Sequence, residues 1–261
     1  MKKLLFALLL LASGRAIFAQ PLTSKRDSLT FKEERIVSLE DGSTDTVNCS
    51  SYFHYLWFTG PEETAARLNK QMYLDLLSTE INTEDELRNA LNEGFNDWAS
   101  EWQSQFVAED SSPLDFSYNL NWYEESYFGF EQTGNTVTVS YSLDGYYGGA
   151  HPNGGITYKV YALPAATPVD KWQDLFTDTM PLLRMAESTF RKEKNLQPGA
   201  SLSEAGYWFQ NDKFHLTNNF GFDETGIFFL FNRYEVASYA DGPVAINIPY
   251  NQLKHWLKKP L

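Results

Sequence analysis

Hydrophobic residues recur every three or four positions in two stretches of the N-terminal half. This spacing predicts two amphipathic helices that pack side by side on one face of a sheet. The first begins at Pro61, a residue suited to a first helical turn, and the second begins at the capping pair Thr83 and Glu86. The two apolar stripes are Ala65, Leu68, Met72 and Leu76 in the first helix, and Leu87, Leu91, Phe95, Trp98, Trp102 and Phe106 in the second.

Elsewhere, hydrophobic and polar residues alternate one by one, which predicts strands with one buried face. The strand nearest the N-terminus has a charged centre over residues 32–35, which suits a sheet edge or a solvated face. The strands after the second helix follow one another closely and predict an antiparallel meander. The strand segments are residues 29–39, 49–58, 114–122, 137–143, 156–160 and 244–248.

The C-terminal half mixes both patterns. A helix is predicted to begin at Pro181, and the continuous apolar run 227–231 is typical of a buried central strand. A short helix over residues 251–259 is predicted to close the chain. Together the elements predict an α+β fold with antiparallel or mixed sheets, helices packed on one side, and two intimately packed halves.

The stretch over residues 144–155 is the most constrained part of the sequence. Its five glycines and one proline exclude a regular helix or a continuous strand. It either closes a wide hairpin or crosses between two sub-sheets. Its rings can present a mixed polar and aromatic surface to a ligand; alternatively, His151 pins the turn and the tyrosines fill the core. The candidate ligand-binding residues are Tyr146, Tyr147, His151 and Asn153 here, with Tyr234 and Tyr239 from a later turn.

The N-terminus has the pattern of a secretory signal peptide over residues 1–19. Lys2 and Lys3 precede an apolar run, and small residues precede Gln20. The run is shorter than the ~20 residues that span a membrane. The mature protein is therefore expected to be periplasmic or secreted, without a membrane span. The single cysteine, Cys49, cannot form an intramolecular disulfide, so a conventional core must stabilise the fold.

The net charge of −13 restricts the partners. An anionic surface argues against nucleic acid and against anionic membranes, and it favours encounter with a cationic partner. It also keeps an exported protein in solution, which is a sufficient explanation by itself.

The sequence offers little for catalysis. The four histidines have no metal-ligand spacing, so no metal and no cofactor are expected, and no catalytic residue is assigned. The acidic pairs Glu124-Glu125 and Asp223-Glu224 leave a carbohydrate hydrolase or deacetylase open as an alternative, although neighbouring strand residues point to opposite faces. Whether the protein is an enzyme stays open, and a non-enzymatic role is favoured.

Two stretches carry a resemblance to a known family. Residues 146–153 form the first, and the second runs from Phe214-His215-Leu216-Thr217 through residues 225–227 and 232–242 to 246–250. Together they resemble the exported bacterial domain of unknown function 3298, preceded by a 4163-type domain. These domains occur in the ectodomain of a lysozyme-sensing anti-sigma factor and beside peptidoglycan deacetylase domains.

The resemblance implies an N-terminal α+β domain over residues 28–150 and a C-terminal α+β domain over residues 151–261. It implies a cell-envelope module that binds a peptidoglycan fragment or a lysozyme-like protein. No transmembrane or sigma-binding segment follows the predicted signal peptide, so the anti-sigma role is not carried over.

Overall fold

The computed structural model describes residues 19–106 and 118–258, so all but the last residue of the predicted signal peptide lies outside the described residues. The regular elements of the described part come in runs of strands and runs of helices, which confirms the predicted α+β class. They are β1 (Thr23–Ser38), β2 (Thr44–Gly60), α1 (Glu62–Leu77), α2 (Glu84–Ser104), β3 (Trp122–Thr133), β4 (Thr136–Tyr146), β5 (Asn153–Ala162), β6 (Thr167–Pro168), α3 (Met180–Glu193), β7 (Phe220–Phe222), β8 (Gly226–Phe231), β9 (Val244–Pro249) and α4 (Tyr250–Leu253).

The strands form two sheets. The larger has six strands in the order β1 to β6, and the smaller has three in the order β7 to β9. β2 and β3 pair in parallel, because the two helices between them carry the chain back to its starting side; all other neighbours are antiparallel. The predicted meander is confirmed for β3 to β5, and β1 lies at the sheet edge as its charges predict.

Helices α1 and α2 cover one face of the six-stranded sheet, which we call the helix face. The predicted stripes supply this core: Leu68 and Met72 of α1 and Leu87 and Trp102 of α2 are almost fully buried. The start of α2 is also as predicted, since the Thr83 side chain accepts a hydrogen bond from the Glu86 N–H group. The Glu86 carboxylate, however, accepts from the backbone of Asn82 and does not close a capping box with Thr83.

The three-stranded sheet packs on the opposite face of the larger sheet, over β4 and β5. One side of β8 faces β5, where the rings of Phe228 and Tyr158 meet edge to face at 4.7 Å. The other side, with Phe229 and Phe231, joins a core that includes Phe190 of α3. Both faces of β8 are therefore covered, which explains its uninterrupted apolar sequence and confirms it as a central strand.

Two asparagine side chains join the sheets at the exposed edge of β5. Asn232 accepts a hydrogen bond from the Ile156 N–H group at 2.8 Å, and Asn219 accepts one from the Tyr158 N–H group at 2.7 Å. Both amides also donate to the Ile156 carbonyl. β6 pairs only with the end of β5 and leaves the backbone groups of Ile156 and Tyr158 without a strand partner. The two asparagine side chains form these hydrogen bonds in place of a neighbouring strand.

The structure departs from the predicted elements at two places. Residues 114–117 of the predicted strand 114–122 lie outside the described residues, and Tyr118–Leu120 form a 3-10 turn, so that β3 begins at Trp122. The closing helix is also shorter than predicted. α4 has four residues, because the chain then turns so that Leu257 pairs with Phe176.

The glycine-rich stretch closes a wide hairpin between β4 and β5, the first of the two predicted alternatives. The predicted domain boundary at residue 150 falls inside this hairpin. β5 and β6 lie after the boundary, yet they belong to the same six-stranded sheet as β1 to β4, which lie before it. The division of the chain into 28–150 and 151–261 stays a prediction.

The Cys49 thiol is expected to be unreactive in the folded protein. Cys49 is free and fully buried, and burial, followed by the charges of Glu124 and Glu33, raises its pKa to about 12. Against an ordinary thiol pKa of about 8.5, this lowers the thiolate fraction about a thousandfold near neutral pH. Alkylation monitored by mass spectrometry should therefore be about a thousandfold slower in buffer than in urea. Labelling at the same rate in both would contradict the burial of Cys49.

The same pKa shift predicts a pH dependence of stability. A group with a raised pKa stabilises the fold most below its unfolded pKa. The Cys49 contribution should be lost as pH rises from about 8.5 towards 12, because the unfolded chain releases this proton first. Urea unfolding at a series of pH values measures the loss. A Cys49→Ala variant should lose less stability than the wild type between about pH 8.5 and 10, below the range in which buried tyrosines with raised pKa values, such as Tyr73 and Tyr161, also contribute.

Candidate functional site

Three of the predicted site residues come together although they are distant in sequence. The ring of His151 lies 4.2 Å from the ring of Tyr239 and 6.5 Å from that of Tyr234, measured between centroids. The Arg233 guanidinium lies over the Tyr239 ring at 5.2 Å. We call His151, Arg233, Tyr234 and Tyr239 the ring cluster. It brings the β4–β5 hairpin next to two turns that follow β8.

Hydrogen bonds fix the orientation of these rings. His151 Nδ1 lies 2.9 Å from the Pro152 carbonyl, and the Tyr239 hydroxyl donates to the same oxygen at 3.2 Å. Because a carbonyl only accepts, the Nδ1–H group of His151 donates this bond. The Tyr234 hydroxyl lies 3.2 Å from Nε2, within hydrogen-bonding distance. His151 thus pins the turn and also holds a tyrosine at the surface.

The turn that carries Tyr234 has an unusual backbone. The Glu235 N–H group donates to the Asn232 carbonyl, which places Tyr234 at the third position of a four-residue turn. Its φ angle is 68°, a conformation that favours glycine or asparagine at this turn position. Its side chain remains 47% exposed. A bulky residue held in this conformation with its ring in solvent is more typical of a functional position than of a structural one.

The remaining predicted residues do not join the ring cluster. Tyr146 donates a hydrogen bond to Asn119 at 2.7 Å. Tyr147 points to the helix face, where its ring packs edge to face against Trp98. Partial burial and then the Glu124 carboxylate raise the pKa of Tyr147, so its hydroxyl stays protonated. Asn153 is the exposed first residue of β5, opposite Gly145. Three of the six predicted residues therefore form the ring cluster, and the other three lie apart from it.

A cleft lies between the two sheets, beside the ring cluster. It has a volume of about 260 Å³, and we call it the inter-sheet cleft. Arg233 lines it from the ring cluster, and Asp144 lines it from the end of β4. The lining also includes Gly154, Ile156, Leu230 and Pro243.

Close packing explains one glycine of the hairpin. A Cβ atom at Gly154 would lie 2.1 Å from Asp144 Oδ1 and 2.5 Å from the Leu143 carbonyl oxygen. Glycine is needed here so that the Asp144 carboxylate can lie against the backbone of β5. Positive φ, the other reason for glycine in a turn, applies in this hairpin to Gly148, whose φ is 81°.

Sequence reasoning missed a second aromatic surface on the larger sheet. Tyr52, Tyr123 and Tyr127 are 39–47% exposed on the face opposite the helices, where the three-stranded sheet does not cover it. The His54 ring stacks on that of Tyr127 at 4.3 Å. We call these four residues the open face. The alternation of side chains along β2 could have revealed this surface. Tyr52 and His54 flank the buried Phe53, so their rings point to the sheet face opposite the one that Phe53 helps to bury.

The acidic pairs Glu124-Glu125 and Asp223-Glu224 do not form catalytic dyads, because the two carboxylates of a pair have different surroundings. Glu124 accepts a hydrogen bond from Ser51, whereas Glu125 accepts one from Tyr127 of the open face. Asp223 accepts hydrogen bonds within its own turn, from Thr225 and the Gly226 N–H group. Burial alone would raise the pKa of Asp223, but these bonds lower it.

Neither a cluster of metal ligands nor a membrane-spanning helix is present in the described part of the chain. No group of three or more His, Cys, Asp or Glu residues is arranged to hold a metal ion in residues 19–106 and 118–258. None of the helices in that part of the chain is both long and apolar enough to span a bilayer.

The fold defines an α+β protein in which two sheets carry a loop-built aromatic cluster at their junction. Residues 173–251 match the family model described as "Protein of unknown function (DUF3298)", so the chain contains a DUF3298 domain, as the C-terminal motif predicted. This domain supplies Arg233, Tyr234 and Tyr239, whereas His151 lies before it. The 4163-type domain expected to precede it stays a prediction.

Two crystal structures share the fold. A member of the DUF3298 family from Bacteroides fragilis has a TM-score of 0.69 and 21% identity, covering 92% of this chain and 96% of its own. A DUF3298 family protein from Pseudomonas aeruginosa has a TM-score of 0.57 and 16% identity, with the same coverage. At these identities the likeness extends to the fold alone. The comparison with curated proteins found no match.

Proposed function

We propose that the protein is an exported, non-enzymatic module of the cell envelope that binds a peptidoglycan-related ligand at the ring cluster. The observation that carries the proposal is the assembly of His151, Tyr234 and Tyr239 from three loops, with Tyr234 held at positive φ and exposed. The signal-peptide pattern supports a periplasmic or secreted location.

The chemistry of the ring cluster suits a carbohydrate with charged substituents. Aromatic rings offer apolar faces to the C–H groups of a sugar ring, and their polar edges offer hydrogen bonds to hydroxyl groups. Arg233 adds a guanidinium that takes part in no ion pair among residues 19–106 and 118–258. Such a group can bind a carboxylate of the glycan or of its peptide.

A second candidate ligand is a basic, lysozyme-like protein. The observation that favours it is the net charge of −13, which attracts a cationic partner. The two candidates differ in their response to salt. Screening shortens the Debye length from about 10 Å at 0.1 M to about 3 Å at 1 M, so an interaction driven by net charge weakens strongly over this range.

Cosedimentation tests the proposal. The mature protein is incubated with insoluble peptidoglycan, and separately with an immobilised basic lysozyme, at about 0.1 M and about 1 M salt. Retention on peptidoglycan at both salt concentrations supports the proposed function. Retention on lysozyme alone, lost at high salt, supports the second candidate. Failure to bind either one overturns both, and release of soluble sugar or acetate from peptidoglycan would instead support the hydrolase or deacetylase alternative.

A further inference from the structure

The inter-sheet cleft contains a carboxylate and a guanidinium that are not paired with each other. Asp144 and Arg233 both line this cleft, yet no ion pair joins them. Within residues 19–106 and 118–258, neither side chain takes part in another ion pair. The cleft therefore presents one negative and one positive side chain that do not bind each other. A ligand that carries both charges can bind between them.

The two charged groups differ in how they are held. The Arg233 guanidinium lies over the Tyr239 ring, 5.2 Å from its centroid. A cation over an aromatic face is attracted to it, so Arg233 is held at the cleft before any ligand binds, which reduces the entropy lost on binding. The Asp144 side chain is exposed, and its carboxylate has room beside β5 because residue 154 is a glycine.

The size and lining of the cleft limit the ligand. At about 260 Å³ it lies just below the range of about 300–1,000 Å³ typical of pockets for drug-sized ligands. It is too small for a disaccharide with its peptide and suits one end group. Ile156, Leu230 and Pro243 provide apolar walls for the carbon chain that carries the charged end group.

We propose that the inter-sheet cleft binds a zwitterionic α-amino-acid end group, with its ammonium on Asp144 and its carboxylate on Arg233. Guanidinium binds carboxylate through two parallel hydrogen bonds, and a carboxylate accepts readily from ammonium. Free α-amino-acid ends of this kind occur in the peptide part of peptidoglycan, so the source of the ligand rests on the proposed function. The ring cluster would then hold the adjoining part of the same molecule.

Binding of 2,6-diaminopimelate, which has two such ends, tests this inference. Calorimetry or NMR titration compares it with derivatives that are N-acetylated at both ends or amidated at both ends, so that neither end keeps both charges. The wild type should bind the derivatives at least about tenfold more weakly, because each loses a charge-assisted hydrogen bond. Asp144→Asn should bind the N-acetylated derivative as tightly as it binds 2,6-diaminopimelate. Arg233→Gln should bind the amidated derivative as tightly as it binds 2,6-diaminopimelate.

Asp97→Asn is the matched control, since Asp97 is exposed on α2, which packs on the helix face, opposite the three-stranded sheet. It should bind all three compounds like the wild type. Equal binding of all three compounds by the wild type, or selectivity that survives in both cleft variants, overturns the inference. So does the absence of binding of 2,6-diaminopimelate.

Retention on insoluble peptidoglycan separates the two proposals. A protein that is retained but does not bind 2,6-diaminopimelate overturns the zwitterion site and leaves the proposed function standing. A protein that binds 2,6-diaminopimelate with the expected selectivity but is not retained supports the cleft and overturns the proposed function.

Discussion

Tyr239→Ala should weaken binding to peptidoglycan by about 10- to 100-fold while leaving the fold intact. The Tyr239 ring contacts His151, Tyr234 and Arg233, so its loss removes the centre of the ring cluster. Truncating an aromatic residue at the centre of a binding site typically costs 2 kcal/mol or more, and 1.4 kcal/mol corresponds to a factor of ten. Depletion of the variant from solution by increasing amounts of insoluble peptidoglycan measures the change.

Tyr52→Ala provides the matched control for this experiment. Tyr52 is 40% exposed, but it lies on the open face in β2, two strands from β4 in the sheet, and has no contact with the ring cluster among the ring contacts of the described residues. The Tyr52 variant should bind peptidoglycan like the wild type. If it loses affinity and Tyr239→Ala does not, the ligand binds the open face and the assignment to the ring cluster is wrong.

Asn219→Ala combined with Asn232→Ala should lower the free energy of unfolding by about 2–4 kcal/mol. The two amides satisfy the N–H groups of Ile156 and Tyr158, which face the junction of the sheets. An unsatisfied, partly buried donor costs about 1–3 kcal/mol, and the double variant leaves two. Urea unfolding followed by circular dichroism gives the free energy.

Asn247→Ala is the control for this experiment. It shows how much stability is lost when an asparagine that does not join the two sheets is replaced. Asn247 is exposed on β9, and its replacement should change stability by less than about 0.5 kcal/mol. A double variant as stable as the wild type would show that the two side chains do not hold the sheets together. The position of the ring cluster, which spans the same junction, would then need another explanation.

The elements that could be predicted from the sequence are those with a local signal. The stripe of Leu68 and Met72 marks α1, and the alternation of Val244 and Ile246 marks β9, because each pattern reports a single buried face. The continuous apolar run of β8 was predictable for the same reason, since both of its faces are covered. The parallel pairing of β2 with β3 has no such signal, because it depends on how α1 and α2 return the chain.

The candidate site was predictable only in part. His151, Tyr234 and Tyr239 were identified as rings in turns, and the structure brings them together. Tyr147 follows the end of β4 and turns to the helix face, a direction that its sequence position alone does not reveal. The inter-sheet cleft was missed, since it forms only when the hairpin that begins at Asp144 meets the turn that carries Arg233, and that contact depends on tertiary packing.

Chemical-shift mapping locates the ligand on the surface of the protein in solution. An isotope-labelled sample of the mature protein is titrated with a soluble muropeptide, and the backbone amide signals are followed. Binding at the junction of the two sheets predicts the largest shifts at residues 151–156 and 232–242, with small shifts at Tyr52, Tyr123 and Tyr127. Shifts confined to the open face, or no shifts at saturating muropeptide, would contradict the account.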